Sequence, residues 1–252
     1  MSPRPSSRVG QTRRPGTTTA KRLSTSAVSG HADVALALLT AGANKEARAG
    51  NMTWTPLHMA ALRGHVGVTQ ALLKASADIN SRDSTAYTPL HLAANNGRTD
   101  VAQALVTGGA YKEGKQEQPN ASPMAAVSGH ADVALALLTA GANKEARAGN
   151  MACHWTPLHM AALYGHVGVA QTLLKATAAR DSRDSFAHTP LHCAAFGGLA
   201  GVAQALLVAG AAGHARDDGL TRSKWRPREV TAQSPWPSCS LTTDVKAVQH
   251  FQ

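Results

Sequence analysis

The chain has 252 residues, of which 43% are hydrophobic and 4% are aromatic, and its formal net charge is +10. No apolar stretch is long enough to cross a bilayer, so the sequence predicts no membrane span. The three scattered cysteines provide no disulfide framework, which favours a reducing intracellular environment and makes the cytoplasm the expected location.

The first 20 residues are predicted to form a disordered basic tail. Residues 1–26 contain six Lys and Arg and no acid, are rich in Ser, Thr and Pro, and lack the apolar core of a secretory signal. A composition rich in Arg and Ser and free of acids is also typical of organellar transit peptides, although the amphipathic pattern of such peptides is weak here. Organellar import by the basic N-terminal tail is therefore the alternative.

The positive charge lies mainly outside the central part of the chain. Residues 27–215 hold thirteen bases and eleven acids, so their charges nearly cancel. Binding to DNA or RNA requires bases that cluster on a folded face, and this distribution does not provide such a cluster. We therefore do not expect a nucleic-acid partner.

The tetrapeptide Thr-Pro-Leu-His occurs four times, with steps of 33, 68 and 33 residues. Each copy continues as His-x-Ala-Ala-x-x-Gly and then as a segment ending in Leu-Leu or Leu-Val, so the whole unit recurs with a 33-residue period. A period of this length predicts a solenoid of stacked units. The four tetrapeptides begin at Thr55, Thr88, Thr156 and Thr189 and end at His58, His91, His159 and His192.

Each unit predicts two helices. Thr55 followed by Pro56 is a typical helix start, because Thr caps a free N–H group and Pro presets φ at the first helical position. Gly64 predicts the end of this first helix, since glycine adopts the left-handed conformation at little cost. Val68 and Leu72 then lie on one face of a second helix.

This unit resembles the ankyrin repeat. The resemblance implies an all-α repeat solenoid of helix-turn-helix pairs with short β-hairpin fingers. The array is predicted to span residues 21–218, and residues 219–252 are predicted to be a degenerate or disordered C-terminal tail after the start of a seventh finger at 217–221. The glycine between the paired helices gives about six repeats, at Gly30, Gly64, Gly97, Gly129, Gly165 and Gly198.

The array consists of two near-duplicate blocks of three repeats. Residues 27–52 recur unchanged at 126–151, and later matches lie 101 residues apart. The fourth unit departs from the pattern, because Ser122 precedes Gly129 by two residues fewer than Thr55 precedes Gly64. Ser122 is predicted to replace the Thr cap of a first helix that is two residues short.

Eight of the twelve histidines occupy two fixed positions of the repeat, so they are interpreted as structural and not catalytic. The ankyrin resemblance implies that His58, His91, His159 and His192 form hydrogen bonds within and between neighbouring repeats. The cysteines include no Cys-x-x-Cys pair, so no metal site is predicted. Phosphate-loop, dinucleotide-binding and nucleophile-elbow motifs are also missing from the sequence. The sequence therefore predicts no enzyme, no cofactor and no small-molecule substrate.

Repeat solenoids use an extended concave surface to hold other proteins. The ankyrin resemblance implies contacts from the finger tips and from the non-framework positions of the first helices. The sequence thus predicts a protein-protein interaction scaffold with another protein as its partner. The residues predicted to contact this partner are Trp54, Arg63, Tyr87, Asn96, Trp155, Tyr164, His188 and Phe196.

Two questions stay open at this point. Large rings such as Trp54 and Trp155 can anchor a partner, or they can pack on the next finger. The whole array can also be structural or vestigial, without a dedicated partner. The unchanged copy of 26 residues and the irregular fourth repeat both favour that alternative.

Overall fold

The computed structural model describes residues 15–110, 121–147 and 154–212. Within these ranges the chain forms twelve α-helices in six consecutive pairs, which confirms the predicted all-α repeat solenoid. None of the described helices is both long and apolar enough to cross a membrane. The first helices of the pairs are α1 (Pro15–Ser29), α3 (Pro56–Arg63), α5 (Pro89–Asn95), α7 (Ala121–Ser128), α9 (Pro157–Tyr164) and α11 (Pro190–Phe196), and the second helices are α2 (Ala32–Thr40), α4 (Val66–Lys74), α6 (Thr99–Thr107), α8 (Ala131–Thr139), α10 (Val167–Lys175) and α12 (Ala200–Val208).

The structure describes the predicted start of the array but not its predicted end. Helix α1 begins at Pro15, six residues before the predicted start of the array at residue 21, so that boundary falls inside a helix. The first 14 residues, the predicted seventh finger at 217–221 and the predicted tail at 219–252 lie outside the described residues.

Four of the first helices begin at the Thr-Pro pairs, as the sequence predicts. Thr55 is extended, with φ −82° and ψ 165°, and its Oγ1 accepts a hydrogen bond from the backbone N–H of His58 at 3.4 Å. The Nδ1 atom of His58 accepts in return from the backbone N–H of Thr55 at 3.2 Å. This reciprocal capping box closes the first helical turn from both sides. It recurs at Thr88, Thr156 and Thr189.

The turn between paired helices also depends on residues that are close together in the chain. Helix α3 ends at Gly64, whose φ of 85° and ψ of 24° are left-handed, a conformation that glycine adopts readily because it has no Cβ. Helix α4 follows after one residue and fully buries Val68 and Leu72. Ala60 and Ala61 are also fully buried, and their small side chains allow the neighbouring helices to approach closely.

Each helix packs on its counterpart in the next repeat. First helices contact first helices from α1 to α11, and second helices contact second helices from α2 to α12. The buried side chains form one continuous hydrophobic cluster, from Leu23 in α1 to Leu206 in α12. Stability in such a stack is the sum of repeat terms and interface terms, so a defect in one repeat also weakens its neighbours.

The loops that lead from one pair to the next first helix are called fingers here. In the described part of the chain, strand-type pairing in a finger is limited to one antiparallel bridge between Ala49 and Trp54. The finger of repeat three closes through a hydrogen bond from the Asp83 N–H to the Tyr87 carbonyl at 2.9 Å. In place of the predicted β-hairpins, the described fingers therefore contain short turns closed by one or two backbone hydrogen bonds.

The fourth repeat differs from the prediction. Helix α7 has eight residues, the same number as α3, because it begins at Ala121, two residues before Pro123. The bond from His130 N–H to the Ala125 carbonyl corresponds to the bond from His65 N–H to the Ala60 carbonyl, so Ser122 aligns with Leu57. Ser122 is therefore inside the helix and does not take the cap position. Pro123 is tolerated there because the N–H groups of a first turn lack helical partners anyway.

This register leaves a small polar side chain in the core. Ser122 is 5% exposed, and its hydroxyl has no hydrogen-bond partner among the described residues. We expect Ser122→Leu to raise the free energy of unfolding by about 1 to 2 kcal/mol, because leucine adds buried apolar surface and removes the buried hydroxyl. Urea unfolding followed by circular dichroism measures the change.

Ser122→Ala is the matched control, because it removes the hydroxyl without filling the position and should gain less than Ser122→Leu. A lower unfolding midpoint for Ser122→Leu would contradict the prediction, since it would mean that the neighbouring helices have closed over the smaller side chain.

Candidate functional site

A buried carboxylate shapes the finger that precedes α11. Asp184 is 7% exposed, and its Oδ1 atom accepts hydrogen bonds from the backbone N–H groups of Phe186 and His188, both at 2.8 Å. Its Oδ2 atom accepts from the Nε1 of Trp155, in the preceding finger, at 3.0 Å. One carboxylate thus sets the turn of its own finger and ties that finger to the previous one.

Asp83 has the same role in the first block. Its Oδ1 atom accepts from the N–H groups of Thr85 at 2.8 Å and Tyr87 at 2.9 Å, and its Oδ2 atom accepts from the Nε1 of Trp54 at 2.9 Å. Neither aspartate is among the residues predicted from the sequence. The signal that could have identified them is the recurrence of Ser-Arg-Asp-Ser at 81–84 and 182–185, at a fixed distance before the Thr-Pro pair.

Trp54 and Trp155 pack within the protein. Trp155 is 4% exposed and Trp54 is half-buried, and both indole N–H groups are bonded to the aspartate of the next finger. A buried ring presents no surface to a partner. The inclusion of Trp155 among the partner-contacting residues is therefore corrected by its burial, and the packing alternative accounts for its position.

His58 links two repeats. Its Nε2 atom lies 3.1 Å from the carbonyl oxygen of Tyr87 in the next repeat, and its Nδ1 atom lies 2.8 Å from the Oγ1 of Thr55. A carbonyl only accepts hydrogen bonds, so Nε2 carries the proton of the neutral ring and Nδ1 is the acceptor. His159 makes the same contact with the carbonyl oxygen of His188 at 3.0 Å. These bonds hold each finger against the first helix of the repeat before it.

Burial lowers the pKa of both His58 and His159 below the usual 6.5, because removal from water penalises the charged ring. In the unfolded chain both rings bind a proton near pH 6.5, whereas in the folded chain they do so only at lower pH. The unfolded state therefore holds more protons just below pH 6.5. The free energy of unfolding is expected to fall as the pH drops through this range and to be fully retained above it. Urea midpoints at pH 7.5 and 5.5 measure this change.

The double variant His58→Asn, His159→Asn serves as the control, because it removes both titrating rings. We expect a smaller difference between the two midpoints in this variant, whatever its stability at pH 7.5. An equal difference in parent and variant would assign the pH dependence to other groups.

A second series of contacts joins the ends of neighbouring first helices. The Nε2 atoms of His65 and His166 each lie 2.8 Å from a carbonyl oxygen of the preceding repeat, that of Val28 and that of Val127. Repeat three has Arg98 at this position, and its Nε donates to the carbonyl oxygen of Leu62 at 3.2 Å. A helix C-terminus leaves such carbonyls without helical partners. The donors therefore fix the spacing between the ends of the first helices.

Most of the residues predicted to contact a partner keep access to solvent. Arg63, Tyr164 and Phe196 are exposed, and each is the last residue of its first helix. Trp54, Tyr87, Asn96 and His188 are half-buried. All four also have contacts inside the array. Trp54 and His188 are bonded to the finger aspartates, the Tyr87 ring stacks on that of His91 with centroids 5.8 Å apart, and the Asn96 amide donates to the Leu92 carbonyl at 2.8 Å.

Phe186 is a further exposed ring that the predicted set of partner-contacting residues does not include. It lies in the finger turn directly after Asp184 and is 46% exposed. The available signal in the sequence was an aromatic residue at a finger position, two residues before His188. Together with Tyr164 and Phe196 it gives three exposed rings on the fingers and first-helix ends, a surface that is called the finger side below.

In the described part of the chain, no three His, Cys, Asp or Glu side chains lie close enough together to hold a metal ion. Cys193 is a buried thiol within α11. The buried histidines His58 and His159 use both ring nitrogens for hydrogen bonds to hydroxyl and carbonyl groups. This arrangement stabilises the stack and positions the exposed side chains.

Comparison with known proteins agrees with this architecture. The family model described as "Ankyrin repeats (3 copies)" matches residues 75–148 and 122–217, and the model described as "Ankyrin repeat" matches residues 53–84. The crystal structure of the human ASB11 ankyrin repeat domain is 27% identical in sequence, with a TM-score of 0.70, and the match covers 82% of this chain and 88% of that one. No curated protein sequence matches. Since the matched repeats make up more than half of its length, the chain belongs to the ankyrin-repeat family.

Proposed function

We propose that this protein is an interaction scaffold that binds another protein through its finger tips and the exposed ends of its first helices. Ankyrin repeats are generally protein-protein interaction modules, and membership of the family supports a role of this kind. The single observation that carries the proposal is the exposure of three large aromatic rings on the finger side. Tyr164 is 43% exposed, Phe186 is 46% exposed and Phe196 is 45% exposed.

Aromatic side chains in such positions are common anchors of protein interfaces, because they bury a large area at low cost in conformational entropy. The surface that carries them is held in place by the aspartate and histidine contacts of the fingers and first helices. A rigid surface loses little conformational freedom on binding. We propose a cytoplasmic protein as the partner, with no catalytic step and no nucleic acid involved, in line with the composition of the chain.

The alternative is a structural or vestigial array without a dedicated partner. One observation favours it: an internal repeat buries the Ser122 hydroxyl without a partner among the described residues. An array that tolerates such a defect in its centre has not been optimised for stability. This alternative predicts that changes on the finger side leave all associations of the protein unaltered.

The test compares two pairs of surface substitutions in the full chain. Tyr164→Ser with Phe196→Ser removes two exposed rings of the finger side. Leu36→Ser with Leu135→Ser removes two exposed leucines of the second helices, which are 51% and 54% exposed. We expect at least one protein that co-purifies with the parent from a cell lysate to bind the leucine variant equally well and the ring variant about tenfold more weakly.

Both variants change only exposed side chains, so their unfolding midpoints should stay close to that of the parent, and circular dichroism checks this. Capture that is equal for the parent and both variants would contradict the proposed function and favour the structural alternative. Loss of capture with the leucine variant alone would indicate that the partner binds the second helices instead of the finger side.

A further inference from the structure

The two blocks of the array act as an internal comparison, because they share most of their residues and differ on the finger side. The three exposed rings all belong to the second block. Their counterparts in the first block, 101 residues earlier, are Arg63 for Tyr164, Thr85 for Phe186 and Asn95 for Phe196. At these three positions, polar or cationic side chains in repeats two and three thus correspond to aromatic side chains in repeats five and six.

The paired positions are equivalent in the structure as well as in the sequence. Arg63 and Tyr164 are the last residues of α3 and α9, and Asn95 and Phe196 are the last residues of α5 and α11. The N–H groups of Thr85 and Phe186 donate to the preceding aspartate at the same distance, 2.8 Å. The blocks therefore present different chemistry on the same backbone.

Neighbouring rings help to hold the aromatic side chains. Tyr164 stacks on His166, with centroids 6.3 Å apart and planes inclined by 19°, and the Nε2 of His166 lies 2.8 Å from the carbonyl oxygen of Val127. Phe186 lies against His188, with centroids 6.1 Å apart. Ring surfaces that are already oriented lose little freedom when a partner covers them.

The charged side chains in the fingers of repeats five and six are asymmetric. Arg147 and Arg183, in the fingers of repeats five and six, are exposed. Among the acids of the same fingers, Glu145 Oε1 accepts from the Ala179 N–H at 2.7 Å and Asp184 is buried, whereas Asp181 is exposed, accepts from the Ala212 N–H at 3.0 Å and lies 3.8 Å from the Nε of Arg180. The exposed charged side chains described in these two fingers are thus Arg147, Arg180 and Arg183 together with one acid, Asp181. This cationic excess, on fingers that also carry an exposed aromatic ring, complements an apolar segment with acidic neighbours.

We propose that the finger side of repeats five and six binds a short extended peptide segment of a partner protein, with aromatic or aliphatic residues at its centre and acidic residues beside them. Tyr164, Phe186 and Phe196 contact the apolar residues, and Arg147 and Arg183 contact the acidic ones. This inference rests on the proposed function and adds the location of the site and the chemistry of the bound segment.

The experiment uses a display library of random 12-residue peptides, selected against the full chain, and fluorescence anisotropy of the selected peptides after synthesis. The main variant transfers first-block residues to the second block: Tyr164→Arg, Phe186→Thr and Phe196→Asn. The matched control makes the same kind of transfer on α12, Leu207→Val and Val208→Thr, where the parent residues are 50% and 82% exposed. The reverse variant is Arg63→Tyr, Thr85→Phe and Asn95→Phe.

Selected peptides are expected to be rich in aromatic and aliphatic residues together with Asp and Glu. The main variant should weaken their binding about 30-fold or more, since it removes three anchors, whereas the α12 control should change it less than about twofold. The reverse variant should bind a second equivalent of the same peptide. Binding should also weaken when the salt concentration rises from 50 to 500 mM, because salt screens the exposed arginines.

Selected peptides that bind the main variant as tightly as the parent would overturn this inference, and so would peptides rich in Lys and Arg. The proposed function would survive that result if substitutions of the first-block finger side weakened the same peptides. If no selected peptide responds to changes on the finger side of either block, both the inference and the proposed function fail.

Discussion

Replacing Trp155 by alanine is expected to lower the free energy of unfolding by about 3 to 5 kcal/mol, the usual cost of removing a buried large aromatic side chain. The ring is 4% exposed, so its loss leaves a cavity between adjacent fingers. The substitution also removes the N–H group that donates to Asp184 Oδ2 at 3.0 Å. Because Asp184 organises the turn of the next finger, the loss should extend into repeat six.

Urea unfolding measures the total effect, and amide hydrogen exchange locates it, with faster exchange expected in α9 and α11 than in α3. Trp155→Phe is the matched control, because it keeps most of the apolar contact and removes only the hydrogen bond, at a cost of about 1 to 2 kcal/mol. Trp54→Ala should cost less than Trp155→Ala, since Trp54 is only half-buried. An unchanged midpoint for Trp155→Ala would show that the ring is not packed and would restore it as a candidate partner contact.

Gly129→Ala is expected to lower the free energy of unfolding by about 2 to 3 kcal/mol. Gly129 has a φ of +78°, where an L side chain costs about 1 to 2 kcal/mol. A Cβ there would lie 2.6 Å from Nδ1 of His166, so the ring must move. That movement strains the hydrogen bond between His166 and the carbonyl of Val127, which is 2.8 Å long and joins repeats four and five.

Gly198→Ala separates the two contributions. Gly198 occupies the same position in repeat six, with φ +64°, but nothing lies within 4 Å of the Cβ that alanine would add. Only the backbone cost of about 1 to 2 kcal/mol remains, so the loss should be smaller than that for Gly129→Ala. Equal losses for the two variants, measured by urea unfolding, would contradict a role for the His166 contact in holding the stack together.

The repeat period and the helix ends could be predicted from the sequence because they depend on neighbours along the chain. The capping box at Thr55 joins residues three positions apart, and Gly64 ends α3 through its own backbone conformation. The same reasoning failed at Ser122, where Ser-Pro imitates the cap signal. Packing against α5 and α9 sets the register of α7 instead, and places Ser122 where the other repeats have leucine.

Only the tertiary structure decided which of the large side chains are exposed. Trp155 and Tyr164 are both large rings in the same repeat, yet one is buried and the other is exposed. Trp155 packs into the hydrophobic core cluster and donates a hydrogen bond to Asp184, which is 29 residues away in the chain and comes close only after the repeats have stacked. A local pattern does not contain that contact. The sequence by itself therefore determined the helix pairs and their number, whereas stacking between repeats determined the surface, because burial depends on residues that are distant in the chain.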